Sequence, residues 1–213
     1  TRSSPVHVFM IVSNEDLQFG LIQKELRFRQ RFEQVIDDID RTRKNLLGYR
    51  RQVQEATSAT GGDGAGGGDE GGEQVNPAER SINEVIRGHN ETVAIAEGFS
   101  DIRDELINNG VHTQQTLTRI DQGVLMPLQR ITSEDYTLAE TTLRALARAS
   151  RDGTRPSPET IDTATDSLGD LLERMRRVLA EMRKLETYQE ALKLLKQIID
   201  DEENLLEKTR EQR

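Results

Sequence analysis

The chain has 213 residues, a net charge of −9, a sequence pI near 5.0, 34% hydrophobic and 4% aromatic residues, and no tryptophan. So little apolar material excludes a large globular core, and the acidic balance excludes a dedicated nucleic-acid binder, which needs a basic face to displace counterions. Without cysteine there is no disulfide, thiol nucleophile or Cys-based metal site, and without a run of about 18 apolar residues there is no membrane-spanning helix. Long helices with a narrow apolar seam need few core residues per unit length, so the composition predicts an elongated all-α bundle. The chain opens on Thr1 without a signal peptide, which leads us to expect a segment of a longer protein.

Val6-His7-Val8-Phe9-Met10-Ile11-Val12 follows Pro5 and is short and β-branched. Residues 1–13 therefore read as a strand belonging to an upstream β-domain, or as a hydrophobic staple against the first helix. Ser13-Asn14 then offers an N-cap with acidic residues in the first turn. From there Leu21, Phe28, Val35, Thr42, Tyr49 and Ala56 interleave with Glu25, Phe32, Ile39, Leu46 and Val53. The alternating spacing of four and three is a heptad seam and predicts a long helix over 14–57.

Residues 58–76 contain the stretch GGDGAGGGDEGGE. A phosphate-binding loop would need a preceding strand and a closing Gly-Lys-Ser/Thr, and a calcium loop would need oxygen ligands in a fixed register. Neither pattern is present, so this is a disordered Gly-rich tether. Flexible coil of about 18 residues spans roughly 23 Å, enough to join adjacent helix ends about 10 Å apart. A parallel neighbour would require nearly full extension. The tether therefore predicts antiparallel helices.

Asn76-Pro77 caps and starts the next helix. Its expected seam is Ile82, Val85, His89, Val93, Ala96, Phe99, Arg103 and Leu106, then Gly110, Thr113, Leu117, Ile120, Val124, Leu128 and Ile131. This phase predicts one helix with a weak point at Asn108-Asn109-Gly110, two helices being the alternative. Pro127 crowds the carbonyl of Gly123, so a bend is expected near 123–127. A short helix follows from Thr132 to Ser150 using Leu138, Leu143, Leu146 and Ala149, then a loop over 151–157. Ser157-Pro158 opens the last helix, with a seam through Ile161, Thr165, Leu168, Leu172, Met175, Leu179, Met182, Leu185, Tyr188, Leu192, Leu195, Ile199 and Leu206. Its phase slips by one near 182–188. The architecture expected is an antiparallel bundle of three long helices plus one short one, residues 77–213 completing the bundle begun by 14–57.

Chemistry-bearing patterns are sparse. Among three histidines, His89 falls on the seam and His112 beside the Asn-Asn-Gly break, and neither follows a Glu by three residues as di-iron bundles require. Asp200-Asp201-Glu202-Glu203 point about 100° apart in succession and form a solvated face rather than an ion site. Arg27, Arg29 and Arg31 interleave with Phe28 and Phe32, but the phenylalanines lie on the seam. Arg174, Arg176, Arg177, Arg183 and Lys184 alternate with glutamates, a mixed charged face. Asn90-Glu91-Thr92 matches a glycosylation acceptor but lies mid-helix. No catalytic, cofactor-binding or metal-ligating residue is assigned.

Three stretches, Arg27 to Ile36, Ile107 to Ile131 and Met175 to Arg210, resemble the helical portion of large, uncharacterised membrane-associated proteins of planctomycete-type bacteria. That resemblance implies an upstream membrane anchor and β-domains, and transfers no functional residue. The expected function is a non-enzymatic stalk, spacer or assembly segment of an envelope-associated protein, with protein partners or self-association and no nucleic acid, cofactor or small-molecule substrate. The alternative is a signalling or partner-binding module in which the bend and the phase slip are bistable. Leu179→Asp places a charge in the expected seam and should lower stability by roughly 3 kcal/mol or more. A thermal transition within a few degrees of wild type would remove Leu179 from that seam.

Overall fold

The computed structural model describes residues 13–59, 77–151 and 156–211; in the last helix beyond Lys184 the described side chains are Ile198, Asp201, Glu202, Leu205, Lys208 and Thr209. The N-terminal strand, most of the tether and loop, Leu195 and all but the start of the phase slip lie outside this description. The described residues form four helices. We label them α1 (Asn14–Ala59), α2 (Pro77–Asn108), α3 (residues 114–151) and α4 (Pro158–Glu211).

Each start has a local cause. The Ser13 hydroxyl accepts from the Asp16 backbone N–H at 3.1 Å and donates to the Asp16 carboxylate at 2.8 Å, satisfying orphan groups of the first turn of α1. Ser157 accepts from the Thr160 N–H at 3.3 Å, and Pro158 contributes its preset φ at the start of α4. The break between α2 and α3 is sharper than the sequence phase implied. Gly110 adopts φ +65°, the Gly110 N–H donates to Ile107 O, and the Val111 N–H donates to Leu106 O. This is a Schellman closure, and Val111 packs on the core beyond it. Thr113 then caps α3 by accepting from the Thr116 N–H.

The helix boundary expected at 132 is therefore at 109–113. The chain turns back there and runs on without a break to Arg151. Two π-helical turns inside α3, Arg119–Leu125 and Ile131–Asp135, account for the misreading. In the first, the Met126 N–H donates to Asp121 O, five residues back. Widening the helix just before Pro127 accommodates a residue that lacks an N–H and would crowd the carbonyl of Gly123. Each π-turn also advances the side chains by an extra residue. The buried positions step by fours, Ile120, Val124 and Leu128, then Ile131, Asp135, Ala139 and Leu143. Leu138, expected in the core, is consequently exposed, and Tyr136 is buried in its place.

Cross-helix contacts show that the three sequential pairs and the closing α1–α4 pair are all antiparallel. Arg31 meets Glu91 at 2.6 Å and Lys24 meets Glu105 between α1 and α2. Arg103 meets Asp121 at 2.8 Å and Arg151 meets Glu79 at 2.7 Å between α2 and α3. Arg174 reaches Asp135 at 3.1 Å, and the Thr142 and Ser167 hydroxyls lie 2.8 Å apart, between α3 and α4. Arg176 reaches Asp40 at 3.0 Å and Arg183 reaches Glu33 at 2.7 Å between α4 and α1. In each set, rising numbers on one helix meet falling numbers on the other, and the ring closes as an up-down-up-down bundle. Exposed ion pairs contribute little stability; their use here is to distinguish this helix order from others.

The core takes Phe32, Val35, Ile39 and Leu46 from α1, Phe99 from α2, Leu128 from α3, and Leu172 and Leu179 from α4. Phe28, Ile82 and Leu117 are half-buried. On α2 the expected stripe is displaced by one residue at alternate positions: Ser81, Val85, Gly88, Thr92, Ile95, Phe99, Ile102 and Leu106 are buried, whereas Ile82, His89, Val93, Ala96 and Arg103 flank them half-buried. The glycines belong to the seam because they are holes. A Cβ on Gly98 would lie 2.1 Å from the tip of the Phe28 ring, and one on Gly88 would meet Ile39 and the Tyr136 hydroxyl at 3.2 Å.

This packing sets an opposed pair of effects on Gly98→Ala. Helix propensity gains up to about 1 kcal/mol, whereas overpacking costs about 1–3 kcal/mol, so the variant should be net destabilised. In a Phe28→Ala background the hole is empty and the same substitution should become stabilising. Urea titrations of the four chains that gave the same sign in both backgrounds would remove Phe28 as the knob.

Candidate functional site

The two π-turns place successive residues, Asp135 and Tyr136, on adjacent faces of α3, both of them buried. Tyr136 enters the core, where it is 1% exposed. Thr92 donates to Gly88 O at 2.8 Å, which leaves the Thr92 oxygen to accept from the Tyr136 hydroxyl 3.0 Å away. The Met175 sulfur lies 3.9 Å from the same hydroxyl, and the His89 ring lies beside the phenol at 5.1 Å between centroids. Burial pushes the phenol well above its ordinary pKa of 10, with the Thr92 hydrogen bond opposing.

Asp135 meets α4 closer to the surface. It is 8% exposed and its two carboxylate oxygens lie 3.1 and 3.4 Å from Arg174 Nη1. Burial raises its pKa despite that partner, with Glu134 and Asp170 also opposing ionisation. The pair sits at one end of a groove of about 970 Å³ between α3 and α4. Its apolar floor includes Met126, Pro127, Ile131 and Val178, and the Glu181 side chain lies over Gly123, 3.5 Å from where a Cβ would stand. Met126 is 62% exposed, unusual for a thioether beside a packed core. The lining carries Arg119, Arg130, Arg174 and Arg177 against Asp135 and Glu181, so its arginines outnumber its carboxylates in a chain whose net charge is −9.

The remaining sequence candidates disperse. His89 is half-buried against Tyr136, and His112 is exposed with Nδ1 3.2 Å from Leu106 O. Arg31 stacks over the Phe28 ring at 5.6 Å while Phe28 itself packs on Phe99, which uses the aromatic faces internally. Thr92 of the glycosylation pattern is fully buried, and Asp201 and Glu202 are exposed. Among the described residues no group of three or more His, Cys, Asp or Glu side chains could hold a metal ion, and no helix is long and apolar enough to cross a membrane.

The sequence reading did not find the groove, Asp135 or Tyr136. A proline inside a helical pattern was the available signal, and the first π-turn, Arg119–Leu125, lies where it led us to expect a bend. Comparison with protein-family models finds no match, and neither do comparisons with curated proteins and with solved structures.

The burial of Tyr136 gives stability a defined alkaline dependence. The folded-state pKa lies above the unfolded value of about 10, so this contribution is complete below pH 10 and is lost as pH rises beyond it. The urea midpoint should fall from pH 9 to pH 11, and Tyr136→Phe should flatten that fall while lowering the pH 7 stability by about 1 kcal/mol. Equal slopes in the two chains would place the phenol in solvent.

Proposed function

We propose that this chain is a non-enzymatic structural element, a helical-bundle spacer and assembly segment within a larger envelope-associated protein. The observation that carries the reading is the core itself. Apolar side chains fill the bundle from Leu21 to Val53 along α1, and ion pairs bridge every pair of sequential helices and the closing α1–α4 pair. A unit built this way resists bending because shifting any helix displaces its contacts with two neighbours. Two polar groups deep in the interior, Tyr136 and Thr92, are spent on each other and on backbone, which suits a role in register rather than in chemistry.

A second reading, a partner-binding module, is favoured by the groove between α3 and α4, where apolar floor and arginine rim are both open to solvent. The two readings are compatible if the groove serves assembly.

Rigidity is the property to test. Spin labels at Gln23 on α1 and Arg148 on α3, both exposed, should lie roughly 35–40 Å apart, from the rise per residue and the interaxial spacing. The spacer reading expects a single narrow distance distribution. A broad or bimodal one would sink it and favour a bundle that switches between arrangements.

A further inference from the structure

The C-terminal part of α4 continues past the groove that α4 helps to build. Ile198 lies about 30 Å further along the same continuous helix than Val178 on the groove floor. This segment therefore cannot fold back into its own groove. Ile198, Glu202, Leu205 and Thr209 are all exposed, and their i, i+4, i+7, i+11 spacing stacks them on one helix face. Ile198 and Leu205 are 56% and 63% exposed, which leaves two large aliphatic side chains uncovered seven residues apart. Exposed Asp201 and Glu202 lie on and beside that face. Its described side chains are thus apolar and acidic together, and all of them face solvent.

The groove offers matching chemistry. Met126 and Val178 give it apolar surface, and at its rim stand Arg130 and Arg177, both largely exposed and each paired only with an exposed glutamate of its own helix, Glu134 and Glu173, so that both remain within reach of an incoming carboxylate. Residues 118–135 of α3 cover about 25 Å and residues 198–209 of α4 about 16 Å, so the groove is long enough for the helix. We propose that two copies of this chain associate with residues 198–209 of α4 from one copy lying in the α3–α4 groove of the other. The inference rests on the assembly reading above and names its contact. The mode is a helix in a groove, anchored by Ile198 and Leu205 and oriented by Asp201 and Glu202 against the arginines. Because the two surfaces differ and lie far apart, each contact leaves a free groove on one copy and a free helix on the other. Association is head to tail and propagates into a ring or a filament.

Complementation tests this with exposed residues whose substitution leaves the core intact. One chain carries Ile198→Glu with Leu205→Glu, the other Met126→Glu with Arg177→Glu. By sedimentation velocity the wild type should grow in mass with concentration and shrink with added salt. Each variant alone should associate at least about tenfold more weakly. Mixed, the two should form a one-to-one pair that grows no further, because one supplies an intact groove and the other an intact helix. Circular dichroism melts matching wild type establish that both variants are folded; if a variant melts early, Ile198→Gln with Leu205→Gln and Met126→Gln with Arg177→Gln repeat the experiment. A wild type that stays monomeric at all concentrations overturns the proposal, with the spin-label distance still free to support a rigid spacer. Groove variants that assemble as well as wild type overturn it in favour of helix-to-helix pairing between copies. Mixtures that fail to pair overturn it as well.

Discussion

Everything in this bundle depends on how closely α1 and α2 approach. A helix with a narrow apolar stripe can be dehydrated only if its neighbour comes near enough to exclude water, and bulky residues on both sides would hold the axes apart. Here the bulk is all on one side at two levels: Phe28 sits over Gly98, and Ile39 and Val35 sit over Gly88. That asymmetry places Tyr136 of α3 within reach of Gly88 and Thr92, and Met175 of α4 within reach of Tyr136. One close contact thus aligns all four helices.

The second constraint is the continuity of α3 through Pro127. A proline inside a helix removes one hydrogen bond and collides with the preceding turn, so the helix must break, bend or widen. The adjacent π-turn lets it widen. The consequences reach beyond the backbone, because each π-turn rotates every later side chain relative to an ideal helix. Asp135 is carried to the α4 side and Tyr136 to the core, and the groove runs beside the first widened turn, where Gly123 lets the Glu181 side chain of α4 pack close. The groove and the core hydroxyl pair are two outcomes of one irregularity.

Charge works at a different level from packing. The ion pairs that bridge the helices are mostly half-exposed and add little to stability, yet together they discriminate the observed helix order, since a different neighbour would bring like charges together. Asp40 shows this locally: Lys44 and Arg176 hold its carboxyl below the usual range, so it favours ionisation between its own helix and α4. Asp135 shows the opposite balance, with burial outweighing Arg174.

The sequence by itself determined the fold class, the seam of α1 and most of the seam of α4, because strong amphipathic repeats of Phe, Ile and Leu leave one way to bury them. It also determined the antiparallel pairing of α1 with α2, because a parallel neighbour would stretch the Gly-rich tether almost to full length, and the Ser13 and Ser157 caps. Tertiary structure alone decided the stripe of α2, where Gly88, Thr92 and Gly98 are interior for being small rather than apolar, a property with meaning only once Phe28 and Tyr136 stand opposite. It also decided the turn at Gly110, where a Schellman closure overrode an unbroken phase, and the phase of α3, where two widened turns moved Leu138 out and Tyr136 in. A one-dimensional pattern assumes constant residues per turn and counts only oily side chains; holes and changes of pitch appear when helices are placed against each other.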